Sequence, residues 1–368
     1  MQLEQQNILF ILRTMEIGGT EKVVLQMCRI LKDRVHKIVV CSNGGSYVPQ
    51  LEAMGSKHYM IPNMELKTPG IICKTAAVIG DILKKEEITI VHTHHRMAAF
   101  YARLLYGRHP FLHIATAHNI FENKKFLTKY SYEKAHLIAC GESVRDNLAE
   151  YFEIPKEKIT VIHNSVEIYE ASEKEIPELQ KWKDRGYHMV GNIGRLELQK
   201  GMEYFIRSYP AVKAACEKVK FFIVGDGAEA SHLKNLVKEM GLQDAILFLG
   251  RRDDVRRIMQ YMDVIVLSSL WEGYPLTPIE AFSVGKTVVA TRVAGTTEIV
   301  IDEENGILVE VANSEELANG IKEMIQDTEK REQLEKNAYR SYCEKNDFAV
   351  FSEMVLSYYQ KLCDSDGQ

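Results

Sequence analysis

Two carboxylates eight positions apart carry the strongest chemical signal in the sequence. The segment Ser269–Ala281 reads SLWEGYPLTPIEA and contains Glu272 and Glu280. It follows the apolar run DVIVLS, which predicts a buried strand, and Thr277–Pro278 predict the start of a helix. A strand that ends in a turn before a helix N-terminus directs backbone N–H groups and partial positive charge at an anion. The pattern therefore predicts an anion site flanked by two carboxylates.

The spacing of Glu280 also fits a purely local role. Thr277 is a suitable N-cap, and a glutamate three residues later completes a capping box. On spacing alone, a ligand-binding role and a capping role for Glu280 are both open.

Two basic residues follow another predicted strand, in the sequence GNIGRLELQKG. Arg195 offers a flat fork for two oxygens and Lys200 a point charge, so together they can bracket a diphosphate. The alternative is an ordinary pair of surface cations.

Glycines and histidines follow strands in the first half of the chain. Gly18 and Gly19 precede a helix and allow close approach of a phosphate, although G-x-G-x-x-G is absent and a plain loop is the alternative. His118 follows the fifth strand, where a ligand-contacting residue or a bystander is expected. His92 and His94 invite a metal interpretation, which we disfavour because no carboxylate or cysteine completes a ligand set.

The elements that position these residues are alternating strands and helices in two series. The predicted strands of the first series are Asn7–Leu12, Lys37–Cys41, Lys57–Ile61, Thr89–His92, His113–Ala117, Ala135–Cys140 and Ile159–Ile162. Those of the second series are His188–Ile193, Lys220–Val224, Ala245–Leu249, Val264–Leu267, Thr287–Ala290 and Gly306–Val309. This alternation predicts an α/β protein with two Rossmann-like, doubly wound parallel-sheet domains, and ligands bind at the carboxyl ends of such strands.

The predicted organisation is an N-terminal acceptor-side domain over residues 1–165 and a linker over 166–186. A donor-binding domain follows over 187–345, and a C-terminal helix over 346–368 is expected to cross back to the first domain. We expect the two domains to face a central cleft that forms the site.

Composition limits the function classes. The net charge of −5 and the lack of a binding motif argue against nucleic acid as a partner. The residues from Met1 to Ser165 carry 21 basic and 16 acidic side chains, whereas the remainder carries 25 and 35, which suggests different partners for the two halves. The seven cysteines form no C-x-x-C, and neither a signal peptide nor a membrane span is evident, so a cytoplasmic location is expected.

Over nearly its whole length the chain resembles the family 4 retaining glycosyltransferases of the bacterial polysaccharide and glycoconjugate type, which have the GT-B fold. The motifs that carry the resemblance are GGTEKVV, ATAHN, CGES, VIHNSV, GRLELQKG, FIVGDGAE, LFLGRRDDV and SSLWEGYPLTPIEA, the last with the family's E-x(7)-E spacing. Ser165 departs from the family, which usually has glycine there. The resemblance implies transfer of a sugar, retaining its anomeric configuration, from a nucleoside-diphosphate sugar, with UDP favoured, to a hydroxyl of a glycan or lipid-linked acceptor.

The resemblance also implies roles for individual residues. His118 would contact the donor sugar, Glu272 its hydroxyls and Glu280 the ribose, while Arg195 and Lys200 would neutralise the leaving diphosphate. The implied catalytic residues are His118, Arg195, Lys200 and Glu272. The implied donor-binding residues are Gly18, Gly19, Arg251, Gly273, Tyr274, Pro275, Leu276, Thr277 and Glu280. No metal and no cofactor are expected, and the sequence leaves the oligomeric state open.

Two alternative functions remain open from the sequence. One is a sugar-nucleotide 2-epimerase of the same fold, and the other is a non-catalytic sugar-nucleotide-binding subunit. The segment Asn119–Lys134 mixes lysines with aromatic residues, so it predicts either peripheral contact with an anionic membrane, at the inner face of the plasma membrane, or an ordinary helix with an aromatic core face. A D-x-D triplet at residues 364–366 is assigned to a disordered tail rather than to a metal site.

Overall fold

The computed structural model describes residues 2–169 and 175–365 of the chain. These residues form two compact units. The first consists of the residues up to Asn164 together with those from Ala349 onward, and the second extends from Ser165 to Phe348.

The first unit is built on a sheet of seven parallel strands. They are β1 (Asn7–Ile11), β2 (Lys37–Ser42), β3 (Lys57–Met60), β4 (Ile90–Thr93), β5 (Leu112–Ala117), β6 (His136–Ala139) and β7 (Ile159–Val161). The order β3-β2-β1-β4-β5-β6-β7 places the topological switch point between β1 and β4. Every residue of β1 and β5 is buried, as expected for central strands that helices cover on both faces.

The helices of the first unit present apolar stripes to this sheet. They are α1 (Gly19–Leu31), α2 (Val48–Ala53), α3 (Pro69–Lys85), α4 (Arg96–Leu105), α5 (Lys125–Tyr132) and α6 (Glu142–Glu150). The core includes Leu9, Ile79 and Tyr101, which are fully buried.

The second unit repeats the architecture with six parallel strands in the order β10-β9-β8-β11-β12-β13. They are β8 (His188–Ile193), β9 (Val219–Val224), β10 (Ile246–Gly250), β11 (Val264–Leu267), β12 (Val288–Thr291) and β13 (Ile307–Val309). Its helices are α7 (Pro177–Asp184), α8 (Met202–Ala215), α9 (Ala230–Glu239), α10 (Val255–Tyr261), α11 (Leu276–Ser283), α12 (Ala294–Thr297), α13 (Ser314–Gln326) and α14 (Thr328–Ser341). A stacked Phe205–Phe221 pair, with ring centroids 4.5 Å apart, lies in its core.

The last helix, α15 (Phe348–Ser365), belongs almost entirely to the first unit. Its Tyr359 is buried, and the hydroxyl lies 2.7 Å from Nδ1 of His92 at the end of β4. No helix within residues 2–169 and 175–365 combines the length and apolar character that crossing a bilayer requires.

The prediction of two parallel-sheet, Rossmann-like domains is confirmed, and each predicted strand is present within one or two residues of its expected bounds. The stretch predicted as a linker differs, because α7 lies inside it and belongs to the second unit. Leu179 of α7 is fully buried, and the backbone N–H of Ile176 donates to the hydroxyl of Tyr261. Residues 170–174 of this stretch lie outside the described residues.

The tail prediction for the D-x-D triplet is wrong where the structure describes it. Asp364 and Ser365 belong to the last turn of α15, and Asp364 accepts a hydrogen bond from Gln360 one turn earlier. Asp366 lies outside the described residues.

A buried carboxylate joins two neighbouring strands of the first unit, β2 and β3, near their amino-terminal ends. Glu86 is 2% exposed and accepts hydrogen bonds from the Tyr59 hydroxyl at 2.6 Å and from the Lys57 ammonium at 3.0 Å. The Lys37 ammonium lies 3.1 Å from the same carboxylate. These partners, above all the Tyr59 hydroxyl, lower the pKa of Glu86 to about 2. The carboxylate therefore stabilises the folded state when it is ionised.

We expect Glu86→Gln to lower the free energy of unfolding by about 1–3 kcal/mol at pH 7, because a charge-assisted hydrogen-bond network is lost. The folded-state pKa is lower than the unfolded-state value of about 4.3, so the contribution is complete above that value. It is lost as the pH falls toward about 2. Urea denaturation between pH 7 and pH 3 measures it, with the exposed neighbour Glu87→Gln as the control. Equal stability of the two variants at pH 7 would refute the role of Glu86.

Candidate active site

The predicted phosphate-binding residues of the second unit gather at its topological switch point. Strands β8 and β11 are neighbours in the sheet although more than 70 residues separate them. The loop after β8 carries Arg195 and Lys200, and the loop after β11 carries Glu272. Because both strands are parallel, the two loops emerge at the same edge of the sheet.

A buried ion pair connects the two loops. Nζ of Lys200 lies 2.6 Å from Oε1 of Glu272, and the two side chains are only 14% and 6% exposed. The Ser269 hydroxyl donates to the same oxygen at 2.6 Å, and Nε2 of Gln199 donates to Oε2 at 3.3 Å. Both carboxylate oxygens of Glu272 are therefore engaged. The Lys200 ammonium has three N–H groups, so it retains donors for a further anion.

Hydrogen bonds and a close backbone contact also connect the loops that carry this pair. The Ser268 hydroxyl donates to the carbonyl of Lys200 at 2.9 Å and accepts from Nδ2 of Asn192 on β8. Gly201 follows with φ 54°, and a Cβ there would lie 2.2 Å from the Ser268 carbonyl oxygen. Only glycine permits this close approach, which directs Lys200 toward Glu272.

Helix α11 begins one residue before the predicted position, at Leu276, with Pro275 as its N-cap. The capping-box prediction for Thr277 and Glu280 is therefore wrong, because an N-cap residue lies outside the helix and Thr277 lies within it. Instead, the Thr277 hydroxyl donates to the carbonyl of Ile193 at the end of β8, at 3.4 Å. Glu280 is 7% exposed. The first-turn N–H groups of α11 emerge beside the Lys200–Glu272 loops.

Buried contacts support the turn between Glu272 and α11. Nδ2 of Asn346 donates to the Tyr274 hydroxyl at 2.9 Å, and both residues are buried. A Cβ on Gly295, in α12, would lie 2.1 Å from the Gly273 carbonyl oxygen and 2.8 Å from that of Glu272. The turn is therefore packed between two other segments of the same unit.

The two predicted arginines of the second unit also follow strands at the carboxyl edge of the sheet, but their side chains are exposed. Arg195 is exposed immediately after β8, and no hydrogen bond or ion pair of its side chain occurs with the described residues. Arg251 is exposed after β10, where Gly250 has φ 67°.

The first unit holds the remaining predicted residues at the carboxyl ends of its strands. Gly18 is the N-cap of α1 and Gly19 its first residue. His118 follows β5, and its Nε2 lies 2.9 Å from Nδ1 of His94, which follows β4. Burial, and the nearby His95, lower the pKa of His118 to about 4, so the ring is neutral at pH 7.

Within residues 2–169 and 175–365, no group of three or more His, Cys, Asp or Glu side chains could hold a metal ion. His92 instead forms hydrogen bonds with two hydroxyls: Nδ1 lies 2.7 Å from that of Tyr359, and Nε2 lies 2.7 Å from that of Thr116. The metal interpretation of His92 and His94 therefore has no ligand set here.

Three residues that contact this arrangement were not predicted from the sequence: Ser269 and Gln199 both bind Glu272, and Gly295 packs on the Glu272 turn. His94, considered from the sequence as a metal ligand, binds His118 instead. Gln199 and Ser269 each lie within three residues of a predicted site residue, which is the one signal that could have marked them. Gly295 had none, because its contact joins segments more than 20 residues apart.

Comparison with known proteins gives a consistent result for both units. A family model for glycosyl transferases group 1 matches residues 171–341, and a model for glycosyltransferase family 4 matches residues 17–169. The chain is 27% identical over 345 residues to UDP-Gal:alpha-D-GlcNAc-diphosphoundecaprenol alpha-1,3-galactosyltransferase of Escherichia coli, covering 84% of this chain and 86% of that protein.

A second relative is N-acetylgalactosamine-N,N'-diacetylbacillosaminyl-diphospho-undecaprenol 4-alpha-N-acetylgalactosaminyltransferase of Campylobacter jejuni, 25% identical over 338 residues. This match covers 87% of our chain and 90% of that protein. Among solved structures, Anabaena HepE in complex with UDP-glucose superposes with a TM-score of 0.84 and 21% identity, covering 96% and 99% of the two chains. The prediction of the GT-B fold is confirmed.

We expect Gly295→Ala to destabilise the protein by about 1–3 kcal/mol, because its methyl group would overlap backbone atoms that cannot rotate away. For a chain of this size, that corresponds to a fall of roughly 2–4 °C per kcal/mol in the thermal unfolding midpoint. Calorimetry on the variant measures it. Gly70→Ala in α3, whose Cβ would meet nothing within 4 Å, is the matched control and is expected to unfold at or above the wild-type midpoint. If Gly295→Ala unfolded at the same midpoint as the wild type, the prediction would be wrong, and the turn between Glu272 and α11 would be able to shift to make room for the methyl group.

Proposed function

Because the chain belongs to the glycosyltransferases described by the group 1 and family 4 models, we propose that it is a retaining enzyme that uses a UDP-sugar. The sugar is transferred to a hydroxyl of a glycan or lipid-linked acceptor in cell-surface polysaccharide synthesis. The observation that carries the proposal is the buried Lys200–Glu272 pair at the switch point of the second sheet.

The chemical task is to stabilise negative charge as the diphosphate leaves. Lys200 has N–H donors beyond its bond to Glu272, and Arg195 has a guanidinium that is exposed at the adjacent strand end. The N-terminus of α11 adds backbone donors and a positive partial charge. These groups supply the charge stabilisation from the chain itself, so we propose that transfer requires no metal ion and no cofactor.

The two glutamates have different roles in this proposal. Glu272 accepts hydrogen bonds from hydroxyls of the transferred sugar, and Glu280 from those of the ribose. The backbone from Gly273 to Thr277 contacts sugar and phosphate, and the base lies near Arg251. In the first unit, His118 contacts the donor sugar, and Gly18 and Gly19 lie against the donor.

Retention follows from attack on the face that the diphosphate leaves. The bond between the anomeric carbon and the phosphate oxygen breaks, the bond to the acceptor oxygen forms, and the departing phosphate oxygen takes the acceptor proton. The bonding of Glu272 supports this route over a covalent intermediate, because Lys200, Ser269 and Gln199 already donate to both of its oxygens and leave acceptor capacity for a sugar hydroxyl rather than a free nucleophilic oxygen. A carboxylate engaged in this way is a poor nucleophile.

The acceptor proposal rests on the relatives and on the surface around α5. The two bacterial relatives are named for undecaprenol-linked substrates. Phe126 is 90% exposed, with Leu127 and Tyr130 partly exposed beside it. We propose that this apolar surface rests on an anionic membrane at the cytoplasmic face, where the acceptor is presented.

The lysines of α5 contribute less charge to this contact than their number suggests. Lys125 and Lys129 both bind Glu153, at 2.6 and 2.7 Å, and these contacts lower the pKa of Glu153 to about 2. Lys124 and Lys67 are exposed, and the neighbouring Lys67 lowers the pKa of Lys124. Adjacent cations of this kind favour an anionic partner.

We expect Lys200→Ala to lower the turnover number about 10²–10³-fold, because a donor that stabilises the leaving group is lost. Glu280→Ala is expected to impair donor binding sharply. The assay measures UDP release and the glycosylated product with excess EDTA present, and we expect EDTA to leave the wild-type rate unchanged. Lys286→Ala is the matched control, because it breaks a Lys–Glu contact of 3.4 Å elsewhere in the same unit.

Circular dichroism checks that each variant is folded. Wild-type turnover in folded Lys200→Ala and Glu280→Ala would refute the assignment. An isomerised sugar nucleotide from donor alone would identify a 2-epimerase, and donor binding without any product would identify a non-catalytic subunit.

We expect Phe126→Ser to reduce sedimentation with anionic phosphatidylglycerol vesicles about 10-fold or more, because inserting a phenyl side chain contributes about 1.5–3 kcal/mol. Ile168→Ser, which alters a side chain 71% exposed in the second unit, is the control. Equal sedimentation of both variants, or no sedimentation of the wild type at low salt, would contradict membrane contact by α5.

A further inference from the structure

Three histidine rings lie in contact at the carboxyl ends of β4 and β5. The His94 ring is 4.2 Å from the His92 ring and 5.2 Å from the His118 ring, measured between centroids. Nδ1 of His94 lies 2.9 Å from Nε2 of His118, and Nε2 of His94 is buried without a hydrogen-bond partner among the described residues. His94 is 3% exposed, whereas His118 is partly exposed.

Both members of the His94–His118 pair are neutral at pH 7. Burial and the neighbouring His92 and His118 rings hold the pKa of His94 well below its usual range. Burial and His95 lower the pKa of His118 to about 4. Two neutral imidazoles that meet nitrogen to nitrogen share a single hydrogen, so one ring must donate and the other must accept.

The buried nitrogen of His94 decides which ring donates. If His118 donated, the proton of His94 would sit on Nε2, and a buried N–H group would have no acceptor. If His94 donates from Nδ1, the buried Nε2 carries only a lone pair. Buried N–H groups without an acceptor are rarer in proteins than buried acceptors without a donor, and leaving a buried donor unpaired costs about 1–3 kcal/mol. The second arrangement is therefore the stable one.

We propose that His94 is a positioning residue that holds His118 in the tautomer with its proton on Nδ1. His118 then presents an uncharged N–H donor to a hydroxyl oxygen of the donor sugar. This inference rests on the proposed function only for the identity of that ligand. In water, neutral histidine favours the opposite tautomer, so removing His94 is expected to change the state of His118.

The tautomer can be measured without any assay of transfer. In protein labelled with ¹⁵N-histidine, long-range proton–nitrogen correlations at pH 7.5 distinguish Nδ1–H from Nε2–H rings, and the His118→Ala variant assigns the His118 signals. We expect His118 and His94 to carry their protons on Nδ1. A wild-type His118 signal from the Nε2–H tautomer would overturn the inference.

Two substitutions at His94 test its role. The carboxamide of His94→Asn can donate from the position of Nδ1, whereas His94→Leu fills the space without a donor. We expect His118 to keep its tautomer in the asparagine variant and to change it in the leucine variant. Transfer kcat/KM is expected to fall about 10-fold with leucine, which corresponds to one neutral hydrogen bond, and to recover to within about threefold with asparagine.

His113→Leu is the control for loss of a buried histidine in the same sheet. His113 is fully buried on β5 and lies 3.2 Å from the hydroxyl of Thr93. We expect it to lower the thermal midpoint without changing the His118 signals. If His94→Leu leaves both the His118 tautomer and kcat/KM unchanged, the positioning role is refuted. If the tautomer changes as expected while His118→Ala transfers sugar normally, the positioning role holds and the proposed contact of His118 with the sugar is refuted.

Discussion

The buried ion pair between Lys200 and Glu272 is the interaction on which the site of the second unit depends. Removing two charges from water costs several kcal/mol per ion, and their attraction offsets this only with good geometry and further hydrogen bonds. Those hydrogen bonds come from Ser269 and Gln199, and the Ser268 hydroxyl holds the backbone of Lys200. The loops after β8 and β11 are therefore constrained mutually: neither can move without leaving a charge unsatisfied.

The first unit also contains a buried carboxylate that is paired with cations, but its surroundings give it a structural role. Glu86 is also buried among cations, but at the amino-terminal ends of β2 and β3. The partners of its carboxylate are Tyr59, Lys57 and Lys37 of the same unit, so it stabilises the sheet. Parallel sheets concentrate ligand sites at the carboxyl ends of their strands, so we propose a ligand-binding role for Glu272 and only a structural one for Glu86.

The sequence predicts the strands well because most are short apolar runs, and the central ones are buried on both faces. The positions of the site loops follow from the strands. Local signals fail where tertiary contacts override them. The spacing of Thr277 and Glu280 matches a capping box, but Pro275 takes the N-cap position and the threonine hydroxyl bonds to β8. Helix α7 escaped prediction because its sequence, PELQKWKD, is mostly polar and its burial depends on Leu179 alone among its eight residues.

Partners of the site residues are the least predictable feature. Glu272 meets Lys200 across 72 positions, and His94 meets His118 across 24, so neither contact has a local pattern. What the sequence does specify is the residue types that arrive at each strand end. The register of the sheet then determines which of them touch.

The distribution of charge suits the reaction that we propose. When the bond to the diphosphate breaks, negative charge develops on the leaving group and positive charge on the sugar. Cations beside the diphosphate lower the barrier, whereas a cation beside the sugar would raise it. The cationic side chains of the proposal, Lys200 and Arg195, both belong to the second unit. His118 is kept neutral by burial and by His95, with a pKa of about 4, and His94 is neutral beside it. A neutral N–H donor can orient a sugar hydroxyl without opposing the positive charge on the ring, which a lysine or a protonated histidine in that position could not do.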